Sequence, residues 1–312
     1  MERYRAETIS LTQFALLLHC VPHIGEKALA RLLRQIAVQK LTPEAFLALS
    51  EKELKTQWKL RPQAIAHLMA HRETLLNESA ELLRTVRLHH VHVLTVESPS
   101  YPYSLERYDD APPPLLYALG NLRRLDESFT FASATSNGAT VDSLLQQDAL
   151  VTALSLAGGV VLTGHDRTAY QRAALVAQRN NRPVVYVLDR GLRDALGPEF
   201  DKPPFAAARI RDLLFDTQRD LALSPFRLDD HAIGANLRRR DRLIFALADV
   251  IIAHDVAAGG GMAAECQRAL EQKRKVFVSA GGRDGNAALR EAGAGVLPEN
   301  PAEIAPKAAF HY

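Results

Sequence analysis

The chain has 312 residues, enough for two domains or for one large domain with a small companion. Its composition, 47% hydrophobic and 24% charged, is globular, and 38 basic against 36 acidic residues leave a net charge of only +2, so nucleic-acid binding has to come from local patches and not from the field of the whole molecule. Cys20 and Cys266 lie far apart with no CxxC partner, no apolar run reaches the roughly 18 residues of a membrane span, and "MERYRAETIS" has no signal-peptide h-region; these features exclude a disulfide scaffold and point to a reduced, cytoplasmic protein with no membrane association.

The first hundred residues read as helices. "SLTQFALLLHC" has apolar residues at helical spacing, with Ser10 or Thr12 as N-cap. "GEKALARLLRQIAV" continues after Gly25, and "TPEAFLALSEKEL" opens with Thr42 as cap, Pro43 at the first helical position and Glu44 in the first turn. "RPQAIAHLMAHRETLLNESAELLRTVR" reads as one long helical stretch after Pro62, and "HVHVLTV" at 90–96 is the first convincing strand. From Ser98 to Asn121, "SPSYPYSLERYDDAPPPLLYALGN" is rich in proline and tyrosine and reads as turns and loop. Then strands alternate with helices. "SFTFASA", "GVVLTG", "RPVVYVLD", "DVIIAH", "KVFVSA" and the short "AGVLP" are the strands; "TVDSLLQQDALVTALSLAG", "AYQRAALVAQRN", "DRLIFALA", "GGMAAECQRALEQK" and "NAALREAG" are the helices. Continuous apolar strands separated by helices predict a mostly parallel sheet covered on both faces. The reading is therefore an all-helical domain over 1–97 followed by an α/β domain over 98–312. Ligands on such sheets bind beyond the carboxyl ends of the strands, so the loops there are where a site is sought.

Four segments qualify. His23-Ile24-Gly25 between two helices has the form of a helix-hairpin-helix turn, whose amides can face a DNA phosphate without reading sequence; an ordinary helical turn has the same spacing. In "LTGHDRT", Thr163 and Gly164 offer a hydroxyl and an amide to an anion, against the alternative of a plain strand-to-helix turn. Gly259, Gly260 and Gly261 stand between a strand and a helix, where backbone amides and the helix dipole favour a phosphate. The cluster Arg238, Arg239, Arg240, Asp241 and Arg242 precedes the strand "DVIIAH". On a helix Arg239 and Arg242 are neighbours at i, i+3, and Asp241 can orient a guanidinium. A solvated basic face is the alternative. The eleven histidines are scattered, and no Ser/His/Asp or metal-ligand spacing occurs. No catalytic residue and no cofactor is therefore assigned.

Taken in order, these segments resemble the DprA/Smf family of DNA-processing proteins. "YPYSLERYDDAPPPLLYALGN" resembles that family's opening segment. "NLRRRDRLIFALADVIIAHD" resembles its arginine motif, with Arg240-Asp241-Arg242 in the place of Arg-Asn-Arg and Asp255 where Glu is usual. "VFVSAGGRDGNAALREAGA" is similar to the closing motif, with Gly285-Asn286 and Gly293-Ala294 in register. The chain departs from the pattern at Ala132-Ser133-Ala134, where the family has Gly-Ser-Arg. It also departs in the second strand's loop, where Ser-Gly-x-Ala-x-Gly-Ile-Asp has become Thr163 to Tyr170, with Ala174 at the place of a following His. The family's Ser-Gly-Ser loop is here Gly260-Gly261-Met262.

The resemblance implies a Rossmann-like sheet behind a helix-hairpin-helix or SAM-like domain; many members also carry a C-terminal winged helix, for which this chain is expected to be too short. It implies single-stranded DNA binding, a homodimer, and hand-over of the strand to the RecA recombinase. The implied phosphate contacts are Arg239, Arg240, Arg242, Ser133, Thr163, Gly164, Gly259, Gly260 and Gly261, with Asp255 as supporting acid and Tyr170 and Phe226 as the nearest stacking aromatics. The rival expectation is a nucleotide-binding sensor, in phage defence for example, or a LOG-type phosphoribohydrolase acting through Glu265. Gly261 to Glu265 keep part of that enzyme signature but lack its proline and threonine.

Overall fold

The computed structural model describes residues 9–205, 208 and 215–306. It divides into two units, Met1–Tyr101 with Ala111–Tyr117, and Pro102–Asp110 with Ala118–Tyr312.

The first unit is built from helices whose starts are written in the sequence. Helix α1 (Leu11–Cys20) is capped by Ser10, whose side chain accepts from the Gln13 amide. After the turn in which His23 adopts φ +66°, α2 covers Glu26–Gln39. Thr42 caps α3 (Pro43–Leu47), and Ser50 and Glu53 close a reciprocal capping box on α4 (Glu51–Thr56). The long stretch expected after Pro62 is two helices, α5 (Pro62–Ala70) and α6 (Arg72–Leu88), separated at His71 by a non-helical φ of −118°. The break gives each helix its own buried stripe, Ala64, Ile65 and Leu68 on one and Leu75, Leu83 and Val86 on the other. Phe14, Phe46 and Trp58 form the centre of the core in two edge-to-face contacts at 5.3 and 4.9 Å. Strand β1 (Val91–Thr95) follows.

The segment 98–121 is not all loop. It contains helix α7 (Tyr103–Tyr108) and strand β2 (Leu115–Gly120), which passes from the first unit into the second. The proline run that suggests a loop ends at Pro114, and the apolar run "LLYAL" behind it is buried along its length.

In the second unit the chain continues through β3 (Thr130–Thr135), α8 (Val141–Leu156), β4 (Val160–Thr163), α9 (Thr168–Arg179), β5 (Val184–Val187), α10 (Leu192–Leu196) and β6 (Leu221–Ser224). It returns through α11 (Gly234–Leu247), β7 (Val250–Asp255), α12 (Gly261–Glu271), β8 (Lys275–Val278), α13 (Asp284–Glu291) and β9 (Gly295–Val296). β6 is absent from the sequence reading because "LALS" holds no β-branched or aromatic residue, unlike the equally short β4, β5 and β8. Its lead-in is fixed by Asp220, whose carboxylate accepts the Val184 amide at 3.1 Å. The strand order is β1-β2-β6-β5-β4-β3-β7-β8-β9, and every pairing from β6 to β9 is parallel. The direction of strand addition reverses at β3, which has β4 on one side and β7 on the other. Right-handed crossovers then place α8 and α9 on one face and α11, α12 and α13 on the other, in accord with the packing of α8 on α9 and of α12 on both α11 and α13. Both cysteines are free thiols. Among the described residues no helix is long and apolar enough to cross a membrane.

Candidate nucleic-acid interface

The reversal at β3 makes the carboxyl ends of β4, β3 and β7 the position where open α/β sheets take their ligands. The register of β3 on β7 slips there, between Ala134 and Thr135. Helix α11 sends its arginines in three directions.

Arg240 is fully buried. Its Nε donates to Asp241 Oδ1 at 2.7 Å, its two terminal nitrogens donate to the two oxygens of Asp166, and its guanidinium lies 4.8 Å from the centre of the Tyr170 ring. Asp241 Oδ1 also accepts from the Tyr170 hydroxyl at 2.8 Å, and Oδ2 from Arg167 Nη2 at 3.0 Å. Gly164 is required here, because a Cβ would lie 2.7 Å from Tyr170 Cδ2 and closer still to Arg240 Nη1. Burial opposes the charge of Arg240, but the Asp166 hydrogen bonds, the buried Tyr170 hydroxyl and the two carboxylates hold its pKa above the usual guanidinium value. In this conformation an internal carboxylate, that of Asp166, takes the fork of Arg240 that the sequence reading gave to a phosphate. The acid that holds it is Asp166 with Asp241, and not Asp255. Tyr170 is equally unavailable for stacking on a base, since its ring is 4% exposed and covers Arg240.

Arg239 and Arg242 share the face expected from their spacing, but it faces α7 and α12. Arg239 is paired with the buried Asp109 at 2.5 Å. Arg242, with its side chain 32% exposed, has Glu265 as its nearest acid at 3.8 Å, a separation too long for a hydrogen bond. Arg238 is exposed.

In the glycine segment Gly259 adopts φ +69°, and Gly260 is the N-cap of α12 with no side-chain cap. Most of the loop's amides are already used. Val256 donates to Asn286 Oδ1, Ala257 to Ser136 Oγ, Ala258 to Asp284 Oδ1, and Gly260 to the Ala257 carbonyl. The first-turn amides of α12, beginning at Gly261, have no partner within the helix and remain for an anion. Asp255 is held by Arg283, at 3.0 Å from Nε, and by the Ser143 hydroxyl at 3.0 Å. Burial works against its ionisation, but these bonds keep its carboxyl below the usual range. Arg283 also donates to the carbonyls of Ser136 and Asn137, in the loop that follows β3.

The two hydroxyl residues turn inward. Ser133 is buried with no hydrogen bond on its Oγ, and Thr163 Oγ1 donates to the Tyr170 carbonyl at 3.1 Å. Phe226 is half-buried just past β6. The arrangement also contains groups that sequence spacing did not single out. Asp166 and Arg167 were visible only as parts of a turn. His165 is 6% exposed, its Nε2 is 3.6 Å from Asp189, and its Nδ1 has no hydrogen bond. Burial outweighs Asp189 and keeps this imidazole below its ordinary pKa. Glu265 sits between Arg242 and Arg268, at 3.8 and 3.4 Å, and burial raises its pKa despite them. Among the described residues no group of three or more potential ligands is placed to hold a metal.

The model of the DNA recombination-mediator protein A family matches residues 92–308. No curated protein matches the sequence significantly. The chain is similar in structure to DNA processing protein A from Streptococcus pneumoniae, with a TM-score of 0.73 over 94% of this chain and 97% of that one at 19% identity. It is also similar to DNA processing protein A from Helicobacter pylori, a structure described for its single-stranded DNA binding mode, with a TM-score of 0.52 over 67% of this chain and 92% of that one at 22% identity. At these identities the likeness establishes the fold, and these matches do not favour the phosphoribohydrolase expectation.

Proposed function

Because the chain belongs to the DNA recombination-mediator protein A family, we propose that it binds single-stranded DNA through its Rossmann-like unit and acts in DNA processing without catalysing a reaction on the strand. The observation that carries this reading is the state of the arginine helix. With Arg240 buried and Arg239 paired, Arg238 is exposed and Arg242 has no hydrogen bond. These two guanidinium groups, with the first-turn amides of α12 from Gly261, are the phosphate contacts we assign. Arg240, Gly164 and Thr163 position the loops at the carboxyl ends of the strands, while Arg239 and Asp255 hold neighbouring elements in place. Guanidinium contacts to phosphates supply affinity with little base preference. The partners we infer are the strand itself, a second copy of the chain, and the RecA recombinase.

Fluorescence anisotropy with single-stranded DNA, duplex DNA and free nucleotides tests the reading. Single strands are expected to bind most tightly and alike across sequences. Arg238→Ala and Arg242→Ala are each expected to flatten the log–log salt dependence by about 0.7. Folded variants with unchanged affinity and slope would reduce the cluster to a solvated face. Cleavage of labelled strands in the presence of divalent metal, lost in Glu265→Ala, would replace binding with catalysis.

A further inference from the structure

The flat guanidinium fork of Arg240 is buried at the carboxyl end of the sheet, and the group that fills the fork is a carboxylate from the loop that follows β4. Asp166 is the second residue after Gly164. Its side chain is 21% exposed, whereas that of Arg240 is 0% exposed. Among the described residues Arg240 is the only side chain hydrogen-bonded to it, through both oxygens. Arg240 itself does not depend on Asp166 for its orientation. Nε is fixed by Asp241, one face is fixed by the Tyr170 ring, and the lack of a Cβ at Gly164 leaves Nη1 its room. Removal of the Asp166 carboxylate would therefore leave a pre-oriented pair of N–H donors, the geometry that binds a phosphate oxyanion bidentately. The charges agree. Arg240 and Arg167 are balanced by Asp166 and Asp241, and withdrawal of Asp166 leaves the group one positive charge in excess.

We propose that Asp166 is an internal stand-in for a phosphate: it closes a latent phosphate site on Arg240, and the site opens when the Asp166 side chain swings away and a backbone phosphate of the strand takes its place. The proposal rests on the DNA-binding reading for the identity of the ligand, but not for the existence of the site. The loop residue gates, and the buried arginine receives.

The test compares the wild type with Asp166→Asn and Asp166→Ser, alone and combined with Arg240→Lys, which keeps the charge but loses the fork. An oligo-dT strand is followed by anisotropy, and inorganic phosphate by thermal shift at constant ionic strength. Asp166→Asn is expected to bind the strand about tenfold more tightly, with a salt slope steeper by about 0.7. It is also expected to gain a phosphate-dependent rise in Tm that the wild type lacks. Both gains should disappear with Arg240→Lys. A folded Asp166→Asn or Asp166→Ser protein with wild-type affinity, slope and phosphate response overturns the gate, as does a gain that survives Arg240→Lys. If the wild type fails to bind any strand, the DNA reading falls, and the phosphate arm alone decides whether the latent site exists.

Discussion

At the scale of single residues, the arginine helix shows how a charge cluster can be consumed by its own fold. Four arginines, Arg238, Arg239, Arg240 and Arg242, look alike as a basic run. One is buried with carboxylates on its fork, one is paired with Asp109, and two retain free donors. Gly164 is the residue on which this packing depends most directly. Gly164→Ala forces a methyl group against Tyr170 and Arg240, and we expect a loss of about 1–3 kcal/mol in urea denaturation. The buried histidines make the stability pH-dependent in a defined sense. His165 and His254 are both held below the ordinary imidazole pKa, chiefly by burial. The unfolded chain takes up their protons near pH 6.5, whereas the folded protein resists. Their contribution is therefore full above about pH 6.5 and is lost as pH falls from there through the lowered folded values. The drop in urea midpoint between pH 7 and pH 5.5 is expected to shrink in the double variant His165→Gln, His254→Gln. An undiminished drop would assign the acid sensitivity to other groups.

At the scale of elements, the loop from β7 to α12 is held from below by the motif that closes the family-like segment. Asn286 accepts the Val256 amide and donates to the carbonyls of Ala253 and His254, at 2.9–3.0 Å. Gly285 leaves space that a Cβ would take from the backbone of Val256 and Ala257. The motif is thus a clamp on the glycine loop and not a ligand contact. Asn286→Ala should cost about 1–3 kcal/mol through unpaired buried backbone groups, measured as a lower denaturation midpoint. Within the loop itself the three glycines are not equivalent. Gly259 sits at φ +69°, so Gly259→Ala is expected to lose about 1–2 kcal/mol. A Cβ on Gly261 meets nothing within 4 Å, so Gly261→Ala should leave stability within about 1 kcal/mol of wild type while it weakens strand binding. Equal binding in that variant would remove the α12 amides from the interface.

At the scale of the whole molecule, a net charge of +2 is too small to draw a strand from a distance. The salt dependence of binding should therefore lie in dissociation. Stopped-flow association rates are expected to change by less than about tenfold between low and physiological salt, while dissociation speeds up with the number of phosphates released. A steeply salt-dependent association rate would mean that the arginines act as a steering patch.

The parallel α/β class, the helical beginning, the carboxyl-end location of the loops and the family were legible in the sequence because each depends on local pattern: apolar runs, caps, glycine punctuation and ordered motifs. Strand β6 was not, since "LALS" holds no β-branched or aromatic residue, and β2 was hidden behind Pro112-Pro113-Pro114. The state of the arginines was decided only by tertiary structure. Charge and helical spacing can say that Arg239 and Arg242 share a face, but not that Asp109 waits on it. Nor can they say that Asp166, 74 residues before Arg240, closes the fork. Whether a guanidinium is free or neutralised depends on which distant carboxylate the fold brings within reach, and no local pattern encodes that.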